Sequence, residues 1–166
     1  MAHVPDSVLA KEMAFQRAPR WWYRAYLALK LLATSRYAIV PAKNLEEGAK
    51  RFGVSGKTIR RGIEDLIKAG LAEKNKFGYY ELKPSGIAFH EFLEKAEEHI
   101  LRNKDPAVLR QYRKDIEPHF KEADNNQVVR AAKEYIDGLI EAVIYIVERK
   151  RELERTKQLI GQFQTG

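Results

Sequence analysis

Apolar residues fall at helical intervals in long blocks along this chain, broken by three short β-branched or aromatic stretches. From Asp6 the pattern predicts a short helix with Val8, Leu9 and Met13 on one side. Pro19 opens a stronger helix reaching Ala33, since proline suits a first turn where its missing N–H is not needed. There Trp22, Tyr23, Tyr26, Leu27, Leu29 and Ala33 share the helical period, which assigns Trp21 and Trp22 to packing rather than to base stacking. Tyr37–Val40 reads as a brief strand stopped by Pro41. Asn44 and Glu47 have the spacing of a capping box, predicting a helix from Leu45 to Phe52 that Gly53 ends.

Ser55 then caps a helix from Gly56 to Ala69, closed by Gly70. At about 100° per residue, Ile59, Ile63, Leu66 and Ile67 share one side of it. Lys57, Arg61, Glu64 and Lys68 centre on the opposite side, flanked by Thr58 and Arg60. Two helices joined by a short Gly-containing turn make a helix-turn-helix. Next, Leu71–Asn75 and Tyr79–Lys83 flank the turn Lys76-Phe77-Gly78, a hairpin with Lys74 and Lys76 at its tip. A strand, a helix-turn-helix and a basic hairpin in this order define a winged helix.

Beyond Pro84 the chain returns to helices: Gly86 to about Arg102, then Ala107 to about Phe120, with Pro118 near its end and a polar connection at Ala123–Asn126. From there Val129, Ala132, Ile136, Leu139, Val143, Ile146, Lys150, Leu153, Lys157 and Ile160 recur with gaps alternating between three and four. This heptad seam predicts one long coiled-coil-like helix over 128–163, with dimerisation through Val129, Ala132, Ile136, Leu139, Val143, Ile146 and Leu153. The alternative is a helix folded back on its own chain with a kink at Gly138. The fold class is therefore mainly α with a small β-hairpin wing (α+β). The expected division is a winged helix-turn-helix domain over residues 1–83, read below as a DNA-binding domain, and a helical region for dimerisation or partner binding over residues 84–166.

The segment LEEGAKRFGVSGKTIRRGIEDLIKAGLA, Leu45 to Ala72, resembles the winged helix-turn-helix core of transcription regulators of the GntR, MarR and PadR kinds. Ala49, Gly53-Val54-Ser55, Thr58-Ile59, Arg61, Leu66 and Gly70-Leu71 carry the likeness. The exit YELKPSGIAFHEFL, Tyr80 to Leu93, is similar to the MarR/PadR passage into a further helix, with Lys83 where Thr is usual. The likeness covers under a third of the chain and implies the fold more firmly than any one family.

Charge sharpens the picture. The net charge is +7, and residues 1–83 hold 16 Lys/Arg against 8 Asp/Glu, net +8, while residues 84–166 hold 14 against 15, net −1. A basic half joined to a neutral half suits a polyanion-binding module with a partner module. Composition, at 45% hydrophobic and 32% charged, describes a folded chain. No apolar run reaches the ~20 residues of a membrane span. The absence of cysteine and of an apolar signal core near the N-terminus makes the cytoplasm, in association with the nucleoid, the expected compartment.

Several chemical signals are set aside. Gly56-Lys57-Thr58 lacks the earlier glycine of a phosphate loop, since Arg51 stands there. His3, His90, His99 and His119 lack metal-ligand spacing, and Ser55 has no histidine partner. No catalytic residue, metal or cofactor is assigned, and the chain is not expected to be an enzyme. The expected function is sequence-specific binding of double-stranded DNA as a dimeric transcriptional regulator. Lys57, Thr58 and Arg61 are assigned to base edges; Ser55, Arg60 and Lys68 to phosphates; and Lys74 and Lys76 to the wing. Two alternatives stay open: a plasmid or viral replication or partition protein, and a winged-helix module that binds only proteins, with the C-terminal helices as its partner surface.

Overall fold

The computed structural model describes residues 3–121 and 125–165. The chain is mainly helical (78%) with a small three-stranded antiparallel sheet and a long C-terminal helix. Helices α1 (Asp6–Arg17) and α2 (Arg20–Thr34) lead to strand β1 (Ile39–Pro41). The pair α3 (Leu45–Lys50) and α4 (Gly56–Lys68) precedes a hairpin of β2 (Ala72–Lys74) and β3 (Tyr79–Leu82). Helices α5 (Pro84–Arg102), α6 (Pro106–Ile116) and α7 (Gln127–Thr165) complete it. β3 is central in the sheet, pairing Ile39 with Glu81 on one side and Ala72 with Leu82 on the other.

Several local expectations are corrected. Asn44 makes no side-chain cap, because a 3-10 turn over Ala42–Asn44 already gives it a near-helical backbone. The strand expected from Tyr37 starts at Ile39, since Tyr37 and Ala38 take left-handed φ values of 60° and 56°. That conformation costs a non-glycine residue roughly 1–2 kcal/mol. Pro118 ends α6 early, and the chain continues as a 3-10 turn over Glu117–Phe120. Of the polar connection at Ala123–Asn126, residues 123 and 124 lie outside the described residues. Asn126 does cap: its Oδ1 accepts from the Val128 and Val129 N–H at 3.0 and 3.2 Å. Its Nδ2 donates to the Ala69 carbonyl at 2.9 Å, joining the start of α7 to the end of α4.

The largest correction concerns the heptad seam. Ala132, Ile136, Leu139 and Val143 are buried within their own chain, and Val129 and Ile146 are half-buried. The occupant is mainly α1, whose contact with α7 is the most extensive between any two elements. Ala10 and Ala14 form the buried side of α1, whereas Val8 and Leu9 face outward. Small residues win that face because the two helices cross closely: a Cβ at Gly138 would sit 3.4 Å from the Cα of Ala14. Six of the seven residues assigned to a dimer seam are thus already packed, wholly or partly, by the chain itself. Only Leu153, 44% exposed, remains available to a partner.

One polar group lies inside this core. The Glu97 carboxylate is buried on α5, and its Oε2 accepts from Tyr26 Oη of α2 at 2.7 Å and Tyr135 Oη of α7 at 2.6 Å. Lys11 of α1 lies 3.6 Å from the same oxygen. Burial, and then the neighbouring Glu97 charge, raise both phenols well above the usual tyrosine range, so they remain donors. Phe15 and Trp22 pack on these rings, at 4.6 and 5.8 Å from the Tyr135 centroid. The Trp22 indole N–H finds no acceptor among the described residues.

Removing one donor from a buried carboxylate costs about 1–3 kcal/mol, so Tyr135→Phe should lower the unfolding free energy measured by denaturant titration at neutral pH by that much. A phenol whose folded-state pKa is raised contributes fully below the unfolded value of about 10 and loses that contribution as pH rises above it. Thermal melts of parent and variant across that range should show a shallower alkaline decline in the variant.

Candidate nucleic-acid interface

The candidate site is built on α4. Gly53, at φ 68°, turns the chain out of α3, and the Val54 N–H closes that turn on the Ala49 carbonyl at 3.2 Å. Ser55 takes an extended backbone, and its Oγ accepts from the Thr58 N–H at 3.1 Å, capping α4. The Ser55 and Thr58 hydroxyls also bond each other at 3.0 Å. Both side chains are therefore engaged in holding the helix start, which leaves contact with a partner chiefly to the cations.

Two constraints fix how α4 presents its outer face. Gly62 meets α2 so closely that a Cβ there would lie 2.2 Å from the Arg24 carbonyl oxygen. Beside it, Arg24 grips Asp65 with two parallel bonds, Nε to Oδ2 at 2.8 Å and Nη2 to Oδ1 at 3.1 Å. This forked pair raises the Arg24 pKa, chiefly through the hydrogen bond. Ile59, Gly62, Ile63 and Leu66 are buried, and Ile67 is half-buried. The opposite face carries Lys57, Arg60, Arg61, Glu64 and Lys68, all exposed, with Thr58 half-buried at the edge.

The hairpin follows directly, and Asn75 shapes its tip. The Asn75 Oδ1 accepts from the Phe77 and Tyr79 N–H groups at 2.9 and 3.0 Å, and Gly78 supplies the φ of 79° that the turn requires. Lys74 and Lys76 are exposed there, Lys74 5.7 Å from the Tyr80 ring centre and Lys76 5.2 Å from that of Phe77.

Six exposed cations gather on this face. Among the described residues, Lys57, Arg60, Arg61, Lys68, Lys74 and Lys76 are in no ion pair. In the second half Arg102, Arg110, Arg113, Lys133, Arg149 and Lys150 each pair with a carboxylate, while Lys95, Lys104, Lys114, Arg151, Arg155 and Lys157 are in no ion pair among the described residues. The face of α4 and the hairpin therefore presents six cations outside any ion pair, an arrangement suited to binding an anionic polymer.

Sequence reasoning missed the aromatics of the neighbouring sheet surface. Tyr37 and Phe77 are 78% and 72% exposed and line a concavity of about 800 Å³ with Arg36, Ile39 and Tyr79. An aromatic beside a hairpin glycine, as in Phe77-Gly78, has no core to enter, and that signal was present in the sequence. Among the described residues no group of His, Asp or Glu side chains is arranged to hold a metal ion. Among the described residues no helix is long and apolar enough to cross a membrane. No family model, no curated protein and no solved structure matches this chain.

Because the atom facing Gly62 is backbone, Gly62→Ala cannot be absorbed by a side-chain shift. Overpacking of this kind costs about 1–3 kcal/mol or more. Denaturant unfolding should show at least that loss, and a variant as stable as the parent would mean that α4 does not dock on α2 this closely.

Proposed function

We propose that this chain is a winged helix-turn-helix protein that binds double-stranded DNA, with α4 entering the major groove and the β2–β3 hairpin acting as the wing. The observation that carries the reading is the set of six unpaired cations on the outer face of α4 and the hairpin, opposite buried residues that fix their direction. Lys57 and Arg61, nearest the start of α4, are assigned to base edges, where Arg reads guanine with two bonds. Arg60 and Lys68 are assigned to phosphates, and Lys74 and Lys76 to the backbone beside the wing. Ser55 and Thr58 serve this reading as the cap that orients the helix, a change from direct contact. Transcriptional regulation is the role that uses such a module most simply.

A dimer enters the proposal through a different surface from the buried seam. From Glu148 to Ile160 every residue of α7 is exposed. Leu153, Ile160 and Phe163, 44%, 50% and 86% exposed, follow one side of that projecting segment. A second copy of the same segment would cover it and bring two recognition helices to one DNA. The same exposed stripe favours, as a second reading, a protein partner in place of a second copy.

Selection of bound fragments from random DNA tests the function directly, with an enriched palindrome expected for a dimeric regulator and no enrichment for a module that binds only proteins. On the enriched site, Arg61→Ala should cost about 1–3 kcal/mol and relax base preference, whereas Lys76→Ala should weaken all sequences alike. Equal binding by both variants and the parent would refute the assignment of this face.

The dimer has its own test. Leu153→Glu with Ile160→Glu should convert the protein to a monomer in sedimentation that still melts cooperatively, because both residues lie outside the core, and should remove any concentration dependence of the melting. A parent that is already monomeric at micromolar concentration would remove the dimer.

A further inference from the structure

The outer face of the sheet is built unlike a surface meant only for water. Tyr37 and Ala38, neither of them glycine, are held at positive φ, and the outcome is a tyrosine standing almost free at 78% exposure. The Ala38 N–H bonds the Ser35 carbonyl at 2.9 Å, which fixes this corner in place. The pairings of Ile39 with Glu81 and Pro41 with Tyr79 set the geometry. Tyr37, preceding Ile39, lies toward the Leu82 end of β3, and Phe77, preceding Tyr79, lies at the other end. Tyr79, 40% exposed, stands between them in the same concavity.

Cations accompany these rings. The Arg36 guanidinium lies 5.2 Å from the Tyr37 ring centre, the Lys76 ammonium 5.2 Å from that of Phe77, and Lys74 also lines the basin. The floor holds Glu73 directly opposite Glu81, two like charges in register with no ion pair among the described residues. Aromatic faces match bases, rim cations match phosphates, and carboxylates match the amino groups that base edges present. A closed duplex offers no unstacked base to such rings; a single strand does. An apolar peptide would meet the rings but would leave both carboxylates and the three cations unanswered.

We propose that this face is a stacking platform for unpaired nucleotides, so that the protein favours DNA where duplex passes into single strand. The proposal rests on the duplex-binding reading for its α4 half, while the platform itself requires only an available single strand.

Fluorescence anisotropy with the full chain, at one salt concentration, separates the two. The probes are a blunt duplex, the same duplex with a single-stranded oligodeoxycytidine tail, and oligodeoxycytidine alone, whose bases carry the amino group that the carboxylates would accept from. The parent should bind the tailed duplex about 10-fold more tightly than the blunt one, the scale of one base stacked on an aromatic side chain. Tyr37→Ala with Phe77→Ala should erase that difference and leave blunt-duplex affinity unchanged, whereas Arg61→Ala should weaken blunt and tailed duplex alike. Both aromatics lie outside the core, so the double variant should fold, and Tyr37→Gly, which relieves the positive φ, provides a second loss of the ring. If the parent binds blunt and tailed duplex equally, or the aromatic variants keep the preference, the platform is refuted while the α4 reading stands. If duplex binding is absent but oligodeoxycytidine binds in a Tyr37- and Phe77-dependent way, the α4 reading fails and the platform remains. If no probe binds, both fail, and a protein ligand becomes the better occupant.

Discussion

The fold depends on one buried carboxylate. A charge removed from water must be answered by donors placed around it, and Glu97 draws its donors from elements far apart in sequence: Tyr26 of α2 and Tyr135 of α7, with Lys11 of α1 close by. Four helices are thereby fixed around a single oxygen. α2 also carries α4 through the Gly62 crossing and the Arg24–Asp65 fork, so the orientation of the candidate recognition helix is tied to the same centre. Asn126 adds a second link by joining the end of α4 to the start of α7. Residues on either side of Pro84 thus share one continuous hydrophobic core.

This construction divides the work along α7. Its first half is core, covered by α1 and tied at its margin by Arg17 to Glu141 and Lys150 to Asp6. Its second half leaves the body of the protein as a charged helix with an apolar stripe. At ~1.5 Å per residue, the sixteen residues from Glu148 to Phe163 reach about 24 Å beyond that margin. The Asp6–Lys150 pair marks where packing ends, and Lys150 and Lys157 at seam positions keep that half from being drawn into the core.

Much of the architecture was legible from residue pattern. The turn of Gly53 and Ser55, the two faces of α4 and the hairpin around Gly78 all follow from local chemistry: a positive φ, a side-chain cap and a 3.6-residue period. The destination of the α7 seam was not legible, because a heptad repeat states that a stripe must be covered and says nothing about which chain covers it. The answer lay in Ala10, Ala14 and Gly138, small residues whose value is close approach rather than hydrophobicity, and a pattern of large apolar residues passes over them. Gly62 escaped for the same reason. By spacing alone Glu97 is one of several glutamates on α5 beside Glu94 and Glu98, and only three-dimensional proximity to two tyrosines distinguishes it. Within the candidate site, the charged face of α4 was readable, whereas the exposed aromatics were obscured by a strand expectation that absorbed Tyr37.

Unpaired cations on a rigid, neutral-backed body form the physical core of the functional account. Each phosphate neutralised by such a cation releases a condensed counterion, which makes binding fall with salt in proportion to the number of contacts. The most direct measurement is the affinity of the unmodified protein for duplex DNA across a series of salt concentrations. With Arg60, Lys68, Lys74 and Lys76 assigned to phosphates, at about −0.9 for each contact, log K against log salt should fall with a slope of about −3.6 per chain. A slope near zero, or no binding at low salt, would contradict the account.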